Sequence, residues 1–229
     1  MDGFFRDFGN MGDLLNQALM RIIPALLCIT IHELAHGFTA YKLGDRTAKD
    51  MGRLTLNPIK HIDPLGLLMM LVMRFGWAKP VPVDMQNFKH PKWYMAITAL
   101  AGPVSNILLA VVMLMVFGLI VSSLAGIAVG AAIVEIFVNT IYISIALAVF
   151  NMLPLPPLDG SKVLFSLLPE NAYDKLMRYE RFGMIFLLVI VASQMIFGIN
   201  IIGRIILYPT EVIFSGLSVF YGFTYNLVN

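Results

Sequence analysis

The sequence predicts an α-helical polytopic membrane protein, with three transmembrane helices around a functional site, further C-terminal spans and a small membrane-associated β element. Hydrophobic residues make up 59% of the 229 residues and charged residues only 13%, whereas a soluble domain is about half apolar and a quarter charged. Mean hydropathy is +0.80. Uncharged runs long enough to cross a bilayer recur along the chain.

The first half contains one predicted span, at about 14–43, in which Pro24 is expected to introduce a kink. The polar stretch 44–62 predicts a loop with a short strand at 53–57. Only ten uncharged residues separate Asp63 from Arg74, too few to span, so they predict a re-entrant or interfacial helix. Prolines in 79–84 restrict that stretch to an edge strand or extended segment.

The second half begins with 42 uncharged residues, from Trp93 to Val134. A single helix of that length would be about 63 Å long, twice the hydrocarbon core, so the chain must turn near Ser122–Gly126. The predicted spans are therefore 93–121 and 128–150. A further span is predicted from Phe182 to Gly203, and 212–229 is either a last short span or an interfacial helix.

Basic residues predict the orientation. The loop 42–60 carries five of them and the segment 162–181 carries four, whereas the turn at 122–127 carries none. The positive-inside rule places the two basic segments in the cytoplasm and the turn outside. The first 20 residues contain Asp2, Asp7 and Asp13 and do not predict a cleavable signal peptide.

His32-Glu33-Leu34-Ala35-His36 is the most informative motif. Glu33 is the only formally charged residue in the 20-residue run from Ile22 to Tyr41, and ionisable groups inside a span mark functional sites. Residues four apart share a helix face, so both imidazoles can reach one Zn²⁺. Glu33 lies beside them, placed to take a proton from a water molecule at the metal.

A catalytic zinc site needs a third protein ligand. Asp159 is the first candidate, because three prolines break the apolar helix that precedes it. Irregular backbone at membrane depth is tolerated only where it is buried in protein or lines a wet cavity, and a carboxylate in such a cavity suits a metal ligand. An alternative is that 151–160 is a surface loop and Asp159 caps the helix starting near Ser161. The other candidates are His61, His90, Asp63, Asp84 and Glu135.

Those other candidates have ordinary explanations. Glu135 lies sixteen residues before Asn151, about 24 Å along a helix, which places it near the outer end of its span. His61 and Asp63 suit loop-fixing hydrogen bonds, with a supporting role behind the metal ligands as the alternative. His90 suits an interfacial position at a helix entry.

Composition excludes several function classes. The single cysteine, Cys28, excludes an intramolecular disulfide and a cysteine-based zinc cluster. A net charge of +2, scattered along the chain, does not predict binding to nucleic acid.

Two motifs together resemble the site-2 proteases, the intramembrane zinc metalloproteases of peptidase family M50. They are His32-Glu33-x-x-His36 and Asn151-x-x-Pro154-x-Pro156-x-x-Asp159-Gly160. Ala101-Gly102-Pro103-x-x-Asn106 and Gly52–Pro58 also look like that family. The resemblance covers roughly residues 20–168 of a predicted single domain, 1–229. It suggests a compact form without a PDZ-like insert or regulatory domain.

The resemblance implies one zinc ion held by His32, His36 and Asp159, with Glu33 as the general base. Asn151 is expected to bind substrate or stabilise the oxyanion. The implied partners are a transmembrane protein or peptide substrate and the lipid bilayer, with cleavage near the cytoplasmic side of a prokaryotic cell membrane. The segments 53–57 and 79–84 are expected to form a small sheet that captures an unwound substrate. Metal transport and a non-catalytic scaffold are the alternatives.

Overall fold

A computed structural model describes residues 11–73, 76–197 and 201–228, and most of these residues are helical. The helices are α1 (Met11–Lys42), α2 (Pro64–Met73), α3 (Pro91–Ile120), α4 (Gly130–Asn151), α5 (Asp159–Ser166), α6 (Glu170–Phe197) and α7 (Ile201–Val228). Single helical turns occur at Thr47–Asp50, Pro58–His61, Met85–Asn87 and Val121–Leu124.

Among the described residues, four helices are long and apolar enough to cross a membrane, namely Ala18–Lys42 within α1, Pro91–Leu124, Gly130–Asn151 and Gly203–Val228 within α7. The chain is therefore a multi-pass membrane protein, as the sequence predicted. Helix α2 has ten residues, which is too short to span.

Helix α3 is the centre of the bundle and packs against α1, α4, α5 and α7. Ala110 and Leu114 of α3 form a buried cluster with Ile141 and Ile145 of α4. Side chains of α7, which packs on both helices, cover this cluster. This cluster packs α3 and α4 against each other.

The predicted β element is wrong for the residues described. Neither 53–57 nor 79–84 forms a strand, and the only bridge in the described chain joins Ile62 to Ala78. Pro80 and Pro82 have no N–H to donate to a ladder. The neighbouring backbone groups bond instead to side chains: Arg53 donates to the carbonyl oxygens of Lys79 and Pro80. Hydrogen bonds from a side chain therefore occupy carbonyl groups that would otherwise bond to a neighbouring strand.

The C-terminal part also differs from the prediction. The expected span from Phe182 to Gly203 lies partly outside the described residues, because 198–200 are not described. Its described part belongs to α6, which starts at Glu170. The stretch 212–229 is no short separate segment, because α7 begins at Ile201 and continues through Pro209. The predicted boundaries followed the charged residues Arg181, Arg204 and Glu211, but these residues lie inside α6 and α7.

Asp45 connects the end of α1 to the segment 79–88, which borders the functional site. Its Oδ1 accepts from the Thr47 amide at 3.0 Å and from the Asn87 Nδ2 at 2.8 Å. Its Oδ2 accepts from the Asp84 amide at 2.8 Å. Burial favours the neutral acid, but these hydrogen bonds outweigh it, so the pKa of Asp45 is lowered.

Replacing Asp45 with Asn is expected to destabilise the protein by about 1–3 kcal/mol, because an amide NH₂ would face a backbone N–H that now donates to a carboxylate. A lowered folded-state pKa means that the carboxylate's contribution is present above its ordinary pKa near 4 and is lost as pH falls through the lower, folded value. Thermal unfolding in detergent from pH 7 to pH 3 measures both effects. Asp50→Asn, at an exposed position, is the control. Equal stability of the two variants would contradict this prediction.

Candidate active site

His32 and His36 project from the same face of α1 towards each other. Their Nε2 atoms are 2.9 Å apart and their rings meet edge to face. His32 is buried, and His36 is shielded by α3. The spacing of four residues that predicted a shared face is sufficient to bring the two nitrogens together.

Asp159 contacts both histidines, although it lies 127 positions after His32 in the chain. The cis Pro156–Pro157 bond and the turn after α4 precede it, and it is the first residue of α5. Its Oδ2 lies 3.1 Å from the Nε2 of His32 and 3.2 Å from the Nε2 of His36. Burial opposes ionisation, but contacts with the imidazoles outweigh it and lower the pKa of Asp159.

The alternative role for Asp159, a helix cap, does not occur in this structure. The N-cap of α5 is Leu158, and no side chain caps that helix. Gly160 explains how the carboxylate comes so close to α1, because a Cβ there would lie 2.3 Å from the carbonyl oxygen of Met152. The backbone of α5 can pack against the end of α4 only because residue 160 is glycine.

The three ligand atoms suit a zinc ion. They form a triangle with sides of 2.9–3.2 Å. Tetrahedral zinc with bonds of 2.0–2.1 Å separates its ligands by about 3.3–3.4 Å, so a movement of a few tenths of an ångström accommodates it. In the described part of the chain this is the group of His, Cys, Asp or Glu side chains with metal-binding spacing.

Helix α3 orients both imidazoles. The carbonyl oxygen of Thr98 lies 2.7 Å from the Nδ1 of His36. A carbonyl can only accept, so Nδ1 carries the proton and Nε2 keeps a lone pair for metal. Asn106 is fully buried, with its amide 3.3 Å from the Nδ1 of His32 and its own Oδ1 without a hydrogen-bond partner. Turning that amide over would let Oδ1 accept the Nδ1 proton of His32.

Gly102 leaves room for the two rings. A Cβ at this position would lie 2.5 Å from His36 ring atoms and 2.6 Å from the Cε1 of His32. Gly102→Ala is therefore expected to displace both imidazoles and to lower zinc affinity at least about tenfold. Gly216→Ala is the matched control in a helix, since nothing lies within 4 Å of its Cβ position. Competition with a chromogenic chelator measures the affinity. Equal affinities in the two variants would contradict the expectation.

Glu33 follows His32 on α1, and its Oε2 accepts a hydrogen bond of 2.8 Å from the backbone N–H of Val81. It lines a cavity of about 270 Å³ that also contains His32, His36 and Asp159. A carboxylate that borders this cavity suits the general-base role expected for Glu33, which stays a prediction.

Asn151 is the last residue of α4 and also lines the cavity. Its Nδ2 donates to the carbonyl oxygen of Leu147 at 3.0 Å, one turn earlier in the same helix. The amide is therefore beside the site but is engaged with its own helix. The role expected from the resemblance, binding substrate or the oxyanion, requires this hydrogen bond to be exchanged and stays a prediction.

The remaining sequence candidates lie elsewhere. Glu135 is exposed in the first half of α4. The Nε2 of His61 bonds to the carbonyl of Thr55, and Asp63 accepts from the first amides of α2. Asp84 caps the helical turn Met85–Asn87. His90 is exposed at the start of α3. His61 and Asp63 thus make the kind of loop hydrogen bonds that the sequence predicted for them. The interfacial position of His90 stays a prediction.

Several residues that build the site were not assigned a role from the sequence. They are Thr98 and Gly102 on α3, Asn106 behind His32, Val81 against Glu33, and Lys162 in the cavity wall. The stretch Ala101-Gly102-Pro103-x-x-Asn106 was part of the family resemblance, but its residues were assigned no role in the site. The contributions of Thr98 and Val81 come from backbone atoms, which leave no side-chain signature in a sequence.

Fold and site together define a class: a multi-pass membrane protein with a His₂Asp group that could hold a metal ion and an adjacent carboxylate, a donor set that suits a zinc hydrolase. Comparison with known proteins supports this class. The model of "Peptidase family M50" matches residues 118–197, which include Asn151 and Asp159. No solved structure matches the chain significantly.

Two similar proteins carry matching names. "Putative zinc metalloprotease YwhC" of Bacillus subtilis is 40% identical over 194 residues, or 82% of this chain and 84% of that protein. "Putative zinc metalloprotease Rip2" of Mycobacterium tuberculosis is 29% identical over 189 residues, or 79% of this chain and 69% of that protein. The chain belongs to peptidase family M50, the site-2 proteases, and is a zinc metallopeptidase. Neither alternative, metal transport or a scaffold, is favoured.

Proposed function

We propose that this protein is an intramembrane endopeptidase that cleaves transmembrane segments of other membrane proteins near the cytoplasmic side of the bilayer. The observation that carries this proposal is the position of the ligands within an apolar helix. His32 and His36 belong to Ala18–Lys42, a helix of 25 residues with spanning hydropathy. A protease that acted only on soluble chains would gain nothing from ligands at that depth.

The depth of the site supports cleavage towards one side. His36 and His32 precede Lys42, the last residue of α1, by six and ten residues. At 1.5 Å per residue they lie about 9 and 15 Å from that end, compared with about 21 Å between Ala18 and His32. The end at Lys42 continues into the basic loop 42–60, which the positive-inside rule assigns to the cytoplasm, as it does 162–181. The proposed location is a prokaryotic cell membrane, because the two relatives named above are bacterial proteins.

The residues of the site divide the chemistry among them. His32, His36 and Asp159 would hold the zinc ion, which supplies a Lewis acid that makes water nucleophilic near neutral pH. Glu33 takes the proton as water attacks the peptide carbonyl and passes it to the leaving amine. Asn151 binds the peptide beside the scissile bond. A helical substrate hides its carbonyls in its own hydrogen bonds, so it must unwind before it enters the cavity.

The test is cleavage of a model transmembrane peptide by purified protein in liposomes. The peptide carries an uncharged segment of about 20 residues with a central Asn-Gly pair that favours local unwinding. Mass spectrometry of the products gives the position of the cut bond. A cut inside the apolar segment, dependent on zinc, is expected. Cuts confined to the soluble flanks would overturn intramembrane cleavage and leave only the zinc protease assignment.

A further inference from the structure

The site opens into two different cavities that meet at the catalytic carboxylate. The larger one, of about 270 Å³, and a second of about 170 Å³ share His32, Glu33, Asn151 and Pro157. The two cavities thus form two arms of the site, and an extended peptide that passes Glu33 would have one part in each arm. The two cavities offer the two sides of a scissile bond different surroundings.

The smaller cavity is apolar beyond the shared residues. Phe150 of α4, Met184 and Leu187 of α6, and Trp77 form its walls. Aromatic and aliphatic walls recognise a large apolar side chain through burial alone. This arm suits the membrane-embedded part of a substrate.

The larger cavity contains a cation. Lys162 is half-buried in its wall, one helical turn after Asp159 on α5, and it does not line the smaller cavity. With zinc bound, the charges of the metal, Asp159, Glu33 and Lys162 add to +1. Without Lys162 the sum is zero, so this side chain sets the sign of the field that a substrate meets in this arm.

We propose that Lys162 is a specificity-determining residue that selects substrates with an acidic side chain on the polar side of the scissile bond. The opposite side of that bond carries a large apolar residue. The inference rests on the proposed function and names its substrate class: an apolar membrane segment followed at the cut by an acidic residue near the surface. A charge pair in a partly desolvated cavity is expected to favour Glu over Gln about fivefold.

Binding to the Glu33→Gln protein tests this without turnover. The probes are fluorescein-labelled peptides with an uncharged segment of about 20 residues in which one position, moved stepwise along its last turn and the juxtamembrane stretch, is Glu, Gln or Lys. Wild-type residue 162, Lys162→Gln and Lys162→Glu are compared in the zinc-loaded protein. Lys175→Gln, at an exposed lysine of α6, is the control.

At one position, Lys162 should give a preference of about fivefold for Glu over Gln. Glu33→Gln raises each charge sum by one, to +2 with Lys162, +1 in Lys162→Gln and zero in Lys162→Glu. The preference for Glu should therefore fall in Lys162→Gln, disappear in Lys162→Glu and persist in Lys175→Gln. No preference at any position, or one that is unchanged in Lys162→Gln, would overturn the proposal. Affinity lost equally for all three peptides, with zinc retained, would also overturn it. Peptides that bind with this preference but are never cut by the wild-type protein would overturn the proposed function alone.

Discussion

Replacing Glu33 with Gln is expected to abolish peptide cleavage while the protein keeps its zinc. Glutamine preserves the shape of the side chain and an oxygen that can accept the Val81 N–H, so the fold and the segment beside the site should persist. It cannot accept the proton of the attacking water. General-base catalysis typically contributes about 10²–10⁴ to the rate, so the loss should fall in that range or beyond.

The measurement combines cleavage of a transmembrane peptide with metal analysis of the same preparation. Near one zinc per chain should remain in Glu33→Gln. Glu135→Gln removes another carboxylate from an exposed position and should retain activity. Turnover by Glu33→Gln within a few-fold of the wild type would show that another group takes the proton.

Replacing Asp159 with Ala is expected to remove the zinc and, with it, all activity. The carboxylate would be one of three zinc ligands, and its Oδ2 lies within 3.2 Å of both imidazoles. Two histidines in the absence of a third protein ligand do not make a catalytic zinc site. Zinc should fall from near one per chain to a small fraction after dialysis against a weak chelator.

Asp63→Ala is the matched control, because Asp63 caps α2 through two amides and should cost stability without costing zinc. Thermal unfolding adds a second measurement. Zinc stabilises a protein that binds it by RT ln(1 + [Zn]/Kd), so its addition should raise the midpoint of the control and leave Asp159→Ala unchanged. Full zinc content in Asp159→Ala, with loss in Asp63→Ala, would transfer the third ligand to Asp63.

Much of the candidate site could be predicted from short-range sequence patterns. The spacing in His32-Glu33-x-x-His36 is a property of one helix, and the structure keeps it within α1. The three spans around the site also follow from short-range information, because an apolar run in lipid can satisfy its backbone only as a helix. Ser122–Gly126 marked the turn between two of them, where Gly126 has a φ of +80°.

Long-range contacts escaped the same reasoning. From the sequence pattern alone, Asp159 could be either a helix cap or a metal ligand. Its contact with His32 spans 127 positions in the chain, and no local rule predicts such a distance. The predicted strand at 79–84 does not form because side chains of Glu33, Asp45 and Arg53 hydrogen-bond to the backbone of that segment. Side chains that replace ladder partners cannot be read from a β-prone pattern.

By itself, then, the sequence determined a multi-pass membrane protein with two histidines and a glutamate on one apolar helix. Helix periodicity and the cost of exposing polar groups to lipid are local constraints that each segment obeys alone. The tertiary structure decided which distant carboxylate meets the histidines, how α3 makes room for them at Gly102, and which lysine enters the cavity. Those results depend on how helices pack, and packing is a property of pairs of surfaces far apart in the chain.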